Sequence, residues 1–253
     1  MGICVLSAGC AGPMPTPSFA NVQRPYLLHL PGIGGTLVFD HWYVEALRNG
    51  GLDAYCEIYN WTCDDPFIHA LQAYDRNKEQ STIVAGMITA RRRQAPNAPI
   101  ILSGQSGGTG ISVFALEDLP DEVMVDSVVL VSPAVSPDYD LSRALRHVRG
   151  HLYVYSSYAD MDFLGLGTLI FGTMDGVQTQ AAGRIGFTRP PAGDEEQYKK
   201  LVSIPWRMEF LLHGDLAMHA GALAPPFARS EIAPLMREEI RASRASTALP
   251  VVE

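Results

Sequence analysis

Apolar and polar positions along this chain follow two alternating patterns. Short, mostly apolar runs end at Gly, Pro or Ser. Each is followed by a longer stretch whose apolar residues recur every three to four positions, the spacing of one helix face. YLLHLP (26–31) opens the series, and TLVFDHWYVEALRN (36–49) is the first helical pattern, stopped by Gly50-Gly51. A second strand is predicted over 52–61 and a long amphipathic helix over 78–94. APIILSG is the third strand, GTGISVFALEDL a helix, DSVVLVSP the fourth strand and YDLSRALRHV a short helix. HLYVYSS is the fifth strand, RMEFLLH the sixth, and RSEIAPLMREEIRAS a closing helix. Strands alternating with helices predict βαβ units around a mostly parallel, doubly wound sheet, a three-layer α/β/α sandwich. The strands are almost continuously apolar, as expected where helices cover both faces.

In such sheets ligands bind at the carboxyl ends of the strands. The residues that follow the predicted strands are therefore where chemistry should sit: GIGG, SGQSGG, SSYADMD and HGDLAMH. Gly104-Gln105-Ser106-Gly107-Gly108 matches G-x-S-x-G, with a strand before it and a helix after. A turn that sharp holds the serine in a strained conformation with Oγ projecting, and small flanking residues let strand and helix approach. The helix N-terminus behind Ser106 offers N–H groups to a developing anion. The bland alternatives are a phosphate-binding turn or a plain tight turn, but G-x-G-x-x-G and the G-K-[ST] lysine are both missing. Ser106 is thus the candidate nucleophile, and the amide of Gly107 the first oxyanion donor. A second donor belongs on the loop after the first strand, where Ile33 is flanked by glycines; Gly34 is the alternative.

Composition narrows the classes. The 253 residues are 47% hydrophobic with a net charge of −8, enough for one large core. The acidity disfavours non-specific binding to nucleic acid or anionic lipid. The one basic run, Arg91-Arg92-Arg93, falls where a helix should end, which suits the helix dipole. Of the four cysteines, Cys56 and Cys63 are separated by a predicted strand that carries the chain roughly 15 Å onward. A disulfide needs Cα atoms within about 7 Å, so two thiols are expected there. Residues 1–24 read as a flexible leader, small, apolar and Pro-rich. LSAGC has a lipoprotein-like look, but Leu6 is one place too far from Cys10, and the localisation stays open between cytoplasm and cell envelope. No run reaches the length of a transmembrane helix.

LPGIGG, SGQSGG, SPAVSPDYDL, LGLGTLIFGTMDG and the C-terminal H…PPF…IAP spacing together resemble serine hydrolases of the α/β-hydrolase fold, and within them bacterial hydrolase-like proteins. The resemblance runs from about Pro25 to Met236, so that 25–253 form a single domain. It implies the order nucleophile, acid, histidine, and a carboxylesterase- or lipase-like chemistry that needs neither metal nor cofactor. The acid then follows the fifth strand, where Asp160 is favoured and Asp162 is the alternative. Asp138 and Asp140 are better read as caps of the next helix. The histidine follows the last strand. His219 lies in the loop and is favoured over His213, which ends the strand itself. The remaining histidines lie within predicted elements.

A cap-like insertion is expected over 163–205. It opens with FLGLGTLIFGTMDGV, which would present Leu164, Leu166, Ile170, Phe171 and Met174 to an acyl or alkyl chain or else pack as a core helix. RPPAGDEEQYKK beyond it reads as a solvated loop. The expected partner is a small-molecule ester or thioester, split through an acyl-enzyme. The rivals are a non-catalytic protein of the same fold that binds a ligand or partner, and an acyltransferase using the same residues.

Overall fold

The computed structural model describes residues 23–63, 67–159 and 172–248. Six strands form one sheet: β1 (Tyr26–Leu30), β2 (Tyr55–Ile58), β3 (Ile100–Gln105), β4 (Ser127–Val131), β5 (Leu152–Ser156) and β6 (Leu201–Pro205). Their order is β2-β1-β3-β4-β5-β6, and every neighbouring pair is parallel. The described α-helices of four residues or more are α1 (Val38–Asn49), α2 (Phe67–Gln72), α3 (Tyr74–Gln94), α4 (Gly107–Glu117), α5 (Ser142–Arg146), α6 (Ala182–Ile185), α7 (Glu195–Tyr198) and α8 (Ala233–Ala248).

Successive side chains of a strand point to opposite faces, and here both faces are dry. Leu28, Leu30, Ile100, Leu102, Val128 and Val154 enter a core shared with α3, α4 and α5. Leu27, Ile101, Val129, Tyr153 and Tyr155 enter a second core with Tyr43 and Leu47 of α1 and Met236 and Ile240 of α8. Two cores on one sheet give the three layers read from the sequence.

The last strand differs from its prediction. β6 is LVSIP, within the expected insertion, and RMEFLLH is a 3₁₀ segment, Met208–His213. β6 pairs on one side only and is partly exposed, and its short apolar run is broken at Ser203. The unbroken apolar run Phe210-Leu211-Leu212 sends Phe210 inward and leaves Leu211 and Leu212 exposed. The predicted solvated loop at 189–200 is also partly built. Asp194 caps α7 by accepting from the Glu196 and Gln197 amides, and the Tyr198 hydroxyl accepts from the Leu141 amide at 2.9 Å. The described end of the insertion, from Gly172, runs beside 133–137. The amides of Met174, Ala182 and Gly183 donate to the carbonyls of Ala134, Val135 and Pro133. Met174 is 2% exposed and packs against Gly110 in the core, so it does not present itself to a ligand.

The basic run ends α3 as expected. Arg91 lies over the Tyr26 ring, and Arg92 binds the Ala98 and Met124 carbonyls. Cys56 is a free thiol whose pKa burial raises. Cys63 is disulfide-bonded, which corrects the expectation of a thiol at that position and leaves the exclusion of a Cys56–Cys63 bridge intact. No described helix is long and apolar enough to cross a membrane.

Candidate active site

Strand order reverses at β1, with β2 on one side and β3 on the other. Such a switch point opens a crevice beyond the carboxyl ends of the strands. Two loops meet in it, residues 31–37 after β1 and the turn at Ser106 after β3.

Ser106 is a one-residue corner between β3 and α4, at φ 51° and ψ −122°. For a residue with a Cβ this conformation costs of order 1–3 kcal/mol. It persists because packing leaves no alternative. A Cβ on Gly104 would come within 2.6 Å of Ser112 Oγ, and one on Gly108 within 2.3 Å of the Leu30 carbonyl oxygen. The Ser106 amide donates to the Val131 carbonyl at 2.9 Å, and its carbonyl accepts from the Thr109 amide and hydroxyl. The chain thus leaves the sheet in one step, and α4 begins at Gly107 with its first amides facing the crevice end.

Loop 31–37 is held against this corner. A Cβ on Gly32 would meet Gln105 Oε1 at 2.4 Å, and one on Gly107 would meet Ile33 Cγ2 at 2.5 Å. Trp61 is fully buried and donates from Nε1 to the Pro31 carbonyl at 2.7 Å. The far end is tied by Asp40, whose Oδ2 accepts from the Leu37 amide at 2.7 Å while Oδ1 lies 3.0 Å from His29 Nε2 on β1. One buried carboxylate therefore joins the strand before the loop to the helix after it.

Ser106 and His219 line one cleft of about 450 Å³, together with Ile33 and Gly34. His219 arrives on the loop after the Met208–His213 segment. Two contacts fix that loop at Ala217, which has φ 61°. Asp215 Oδ1 accepts from the Ala217 amide at 2.9 Å, and the Ser157 hydroxyl, just beyond β5, donates to the Ala217 carbonyl at 2.9 Å. Burial raises the pKa of Asp215, and the bond from Ala217 opposes the rise. Three of the four described non-glycine residues with positive φ, Ser106, Ser132 and Ala217, follow β3, β4 and β6 on the same edge of the sheet.

His213 is elsewhere: its Nδ1 lies 2.6 Å from Glu231 Oε1, and it is not among the cleft residues. Asp140 lies two residues before α5 begins, and its Oδ1 accepts from the Ser142 amide at 2.9 Å. Asp160, Asp162, Leu164, Leu166 and Phe171 lie outside the described residues. Among the described residues an apolar wall is formed by Leu37, Phe39, Leu71, Leu216, Met218 and Ala224. Sequence reading missed these because each looked like core or loop. It also missed Asp215, although HGDLAMH sets that acid close before His219.

The chain has the α/β-hydrolase fold: a parallel sheet turning at β1, helices on both faces, and a serine corner after the third strand. It is similar in structure to Aspergillus fumigatus lipase B, with a TM-score of 0.51 at 13% identity over 86% of this chain and 54% of that one. A cutinase-like protein from Cryptococcus sp. matches with a TM-score of 0.47 at 14% identity, over 86% of this chain and 95% of its own. An acetylxylan esterase does so with a TM-score of 0.47 at 12% identity, over 88% and 99%. No protein-family model matches the chain, and no curated protein matches it in sequence.

Proposed function

We propose that this protein is a serine hydrolase that cleaves a carboxylic ester or thioester. The observation that carries the reading is the strained serine corner opening onto the cleft that His219 also lines. Strain of this kind is retained where geometry serves chemistry. In this reading Ser106 is the nucleophile and His219 the base. Asp160 is the orienting acid, because the chain beyond β5 leads to it from the Ser157 contact with the histidine loop; Asp162 is the alternative. The amides of Gly107 and Ile33, or of Gly34 in place of Ile33, receive the oxyanion.

Ser106 Oγ gives its proton to His219 as it adds to the substrate carbonyl. The carbonyl oxygen takes up the electron pair and is stabilised by the two amides, each such donor being worth roughly 10²–10³ in rate. The intermediate collapses, the alcohol or thiol leaves with the proton from His219, and the acyl group stays on Ser106. Water then adds, gives a proton to His219, and releases the acid as Ser106 recovers it. Every step uses this chain's own groups.

The test is a fluorophosphonate probe followed by a panel of p-nitrophenyl esters. Labelling at Ser106 that disappears in Ser106→Ala, with ester turnover that disappears alongside, supports the reading. Labelling or turnover that survives Ser106→Ala overturns it.

A further inference from the structure

We infer that the cleft beside Ser106 takes an uncharged aliphatic chain, so that the substrate is a neutral apolar ester. This rests on the hydrolase reading above and narrows it. The cleft holds about 450 Å³, within the range that encloses a small organic group. Its apolar wall is made by Leu37, Phe39, Leu71, Leu216, Met218 and Ala224. Among the described lining residues the polar side chains are Gln105, Ser106 and His219, and there is no Asp, Glu, Lys or Arg. Gln105 is 3% exposed, with its Oε1 turned against Gly32. The described lining offers no counter-charge to a substrate carboxylate or ammonium, and burying an unpaired charge is strongly unfavourable. A methylene chain meets no such cost. Leu216 and Met218 are 63% and 66% exposed, so a chain laid along them removes apolar surface from water on both partners.

Two measurements separate this inference from the reading beneath it. The first is kcat/KM across p-nitrophenyl esters of increasing chain length. It should rise about three- to fourfold per methylene until the cleft is filled. Leu216→Ser, at an exposed position, should flatten that rise. The second is binding of methyl octanoate and of the monomethyl ester of suberic acid to the Ser106→Ala protein, which reads the cleft without turnover. Methyl octanoate should bind, and its ω-carboxylate counterpart should bind at least about 100-fold more weakly. Ester turnover with a flat or falling chain-length series, or equal binding of the two probes, overturns the inference and leaves the hydrolase reading standing. Preferential binding of methyl octanoate without Ser106-dependent turnover of any ester overturns the hydrolase reading and leaves the apolar site.

A different observation carries a second inference: Asp215 is a positioning residue for His219. Ala217 sits in the left-handed region at φ 61°, a conformation that costs a residue with a Cβ about 1 kcal/mol or more. Its amide is held by Asp215 and its carbonyl by Ser157, so the loop is clamped on both sides close before His219. Without the carboxylate, Ala217 relaxes toward negative φ and the imidazole moves. Misplacement by about 1 Å can cost up to 10²-fold in rate. Asp215→Ala should therefore lower kcat by roughly 10- to 100-fold. Asp215→Asn should recover most of the loss, because its amide oxygen accepts the same bond. Ala217→Gly, added to Asp215→Ala, should also restore part of kcat, since glycine adopts φ 61° without the steric cost that a Cβ brings. A purely structural role would not give that second rescue. Asp215→Ala protein with reduced stability and unchanged kcat, or a double variant no faster than the single, overturns the assignment. His219→Ala run beside them tests the base itself, and full activity in that variant overturns both roles.

Discussion

His29 Nε2 lies 3.0 Å from Asp40 Oδ1, and the two side chains are 1% and 0% exposed. The other ring nitrogen of His29 lies 3.1 Å from Ser103 Oγ, which also meets the Tyr43 hydroxyl at 3.2 Å. This buried histidine, carboxylate and serine resemble a catalytic set, but they sit between β1, β3 and α1 and line no part of the cleft. Their work is to connect. Asp40 ties the start of α1 to β1, and so fixes both ends of the loop that carries Ile33.

Removing one member of such a pair leaves a buried polar group of the other without its partner, which costs roughly 1–3 kcal/mol. Asp40→Ala should therefore lower the urea unfolding free energy by about that amount. Loss below about 1 kcal/mol would mean that the pair carries no such role.

Two glycines in helices should respond in opposite ways to alanine. Gly86 lies on the exposed face of α3, and a Cβ there would meet nothing within 4 Å. Gly86→Ala should stabilise the protein by about 0.5–1 kcal/mol through the better helix propensity of alanine. At Gly108 the obstacles are backbone, with the Leu30 and Pro31 carbonyl oxygens at 2.3 and 2.4 Å. Neither can swing away as a side chain could. Gly108→Ala should cost at least the roughly 1–3 kcal/mol typical of overpacking, and should separate loop 31–37 from Ser106. Thermal melts of both variants, with fluorophosphonate labelling of the second, check the pair.

The parts of this fold that were legible are those in which local chemistry and tertiary role coincide. Ser106 announced itself because a corner between strand and helix needs small neighbours, and the glycines of its motif are visible in the chain. β1, β3, β4 and β5 were legible because burial on both faces makes them continuously apolar. β6 was not, since its apolar run is broken at Ser203, while RMEFLLH carries three apolar residues in a row. The His29–Asp40 link was not legible either. No sequence spacing says that a strand histidine and a helix aspartate will share a pocket. The same holds for Leu37, Phe39 and Met218, which become one wall only after distant loops converge at the switch point.

His213 and His219 should separate cleanly in mutagenesis. His213 faces Glu231, and both side chains keep substantial exposure, 43% and 30%. A surface pair of this kind is worth about 0–1 kcal/mol. His213→Ala should move stability by no more than that and leave ester turnover within a few-fold. His219→Ala should lower kcat by about 10³-fold or more, as loss of the base in a nucleophile–base pair does. Equal losses in the two variants would break the assignment.

Asp215 also predicts a pH dependence with a definite sign. Its pKa is raised, first by burial, with the Ala217 amide acting in the opposite direction. The folded state therefore holds the Asp215 proton more tightly than the unfolded chain does. Below the ordinary carboxylate pKa of about 3.9 both states are protonated and the group contributes no slope. As pH rises from there, the unfolded chain releases its proton first. The folded protein loses stability until pH passes the raised folded value, and the cost is constant beyond it. The amide introduced by Asp215→Asn cannot titrate. Other ionisable groups contribute alike to both proteins, so the difference in stability between Asp215→Asn and the parent isolates this one carboxyl. That difference should shift in favour of the variant as pH climbs through the window above about 4 and then level off. Denaturant melts of the two proteins at half-unit steps from about pH 4 to 8 measure it. A difference that moves toward the parent with rising pH would mean that Asp215 is stabilised as the anion. The bond to Ala217 would then outweigh desolvation, and the carboxylate would hold the histidine loop most firmly at neutral pH.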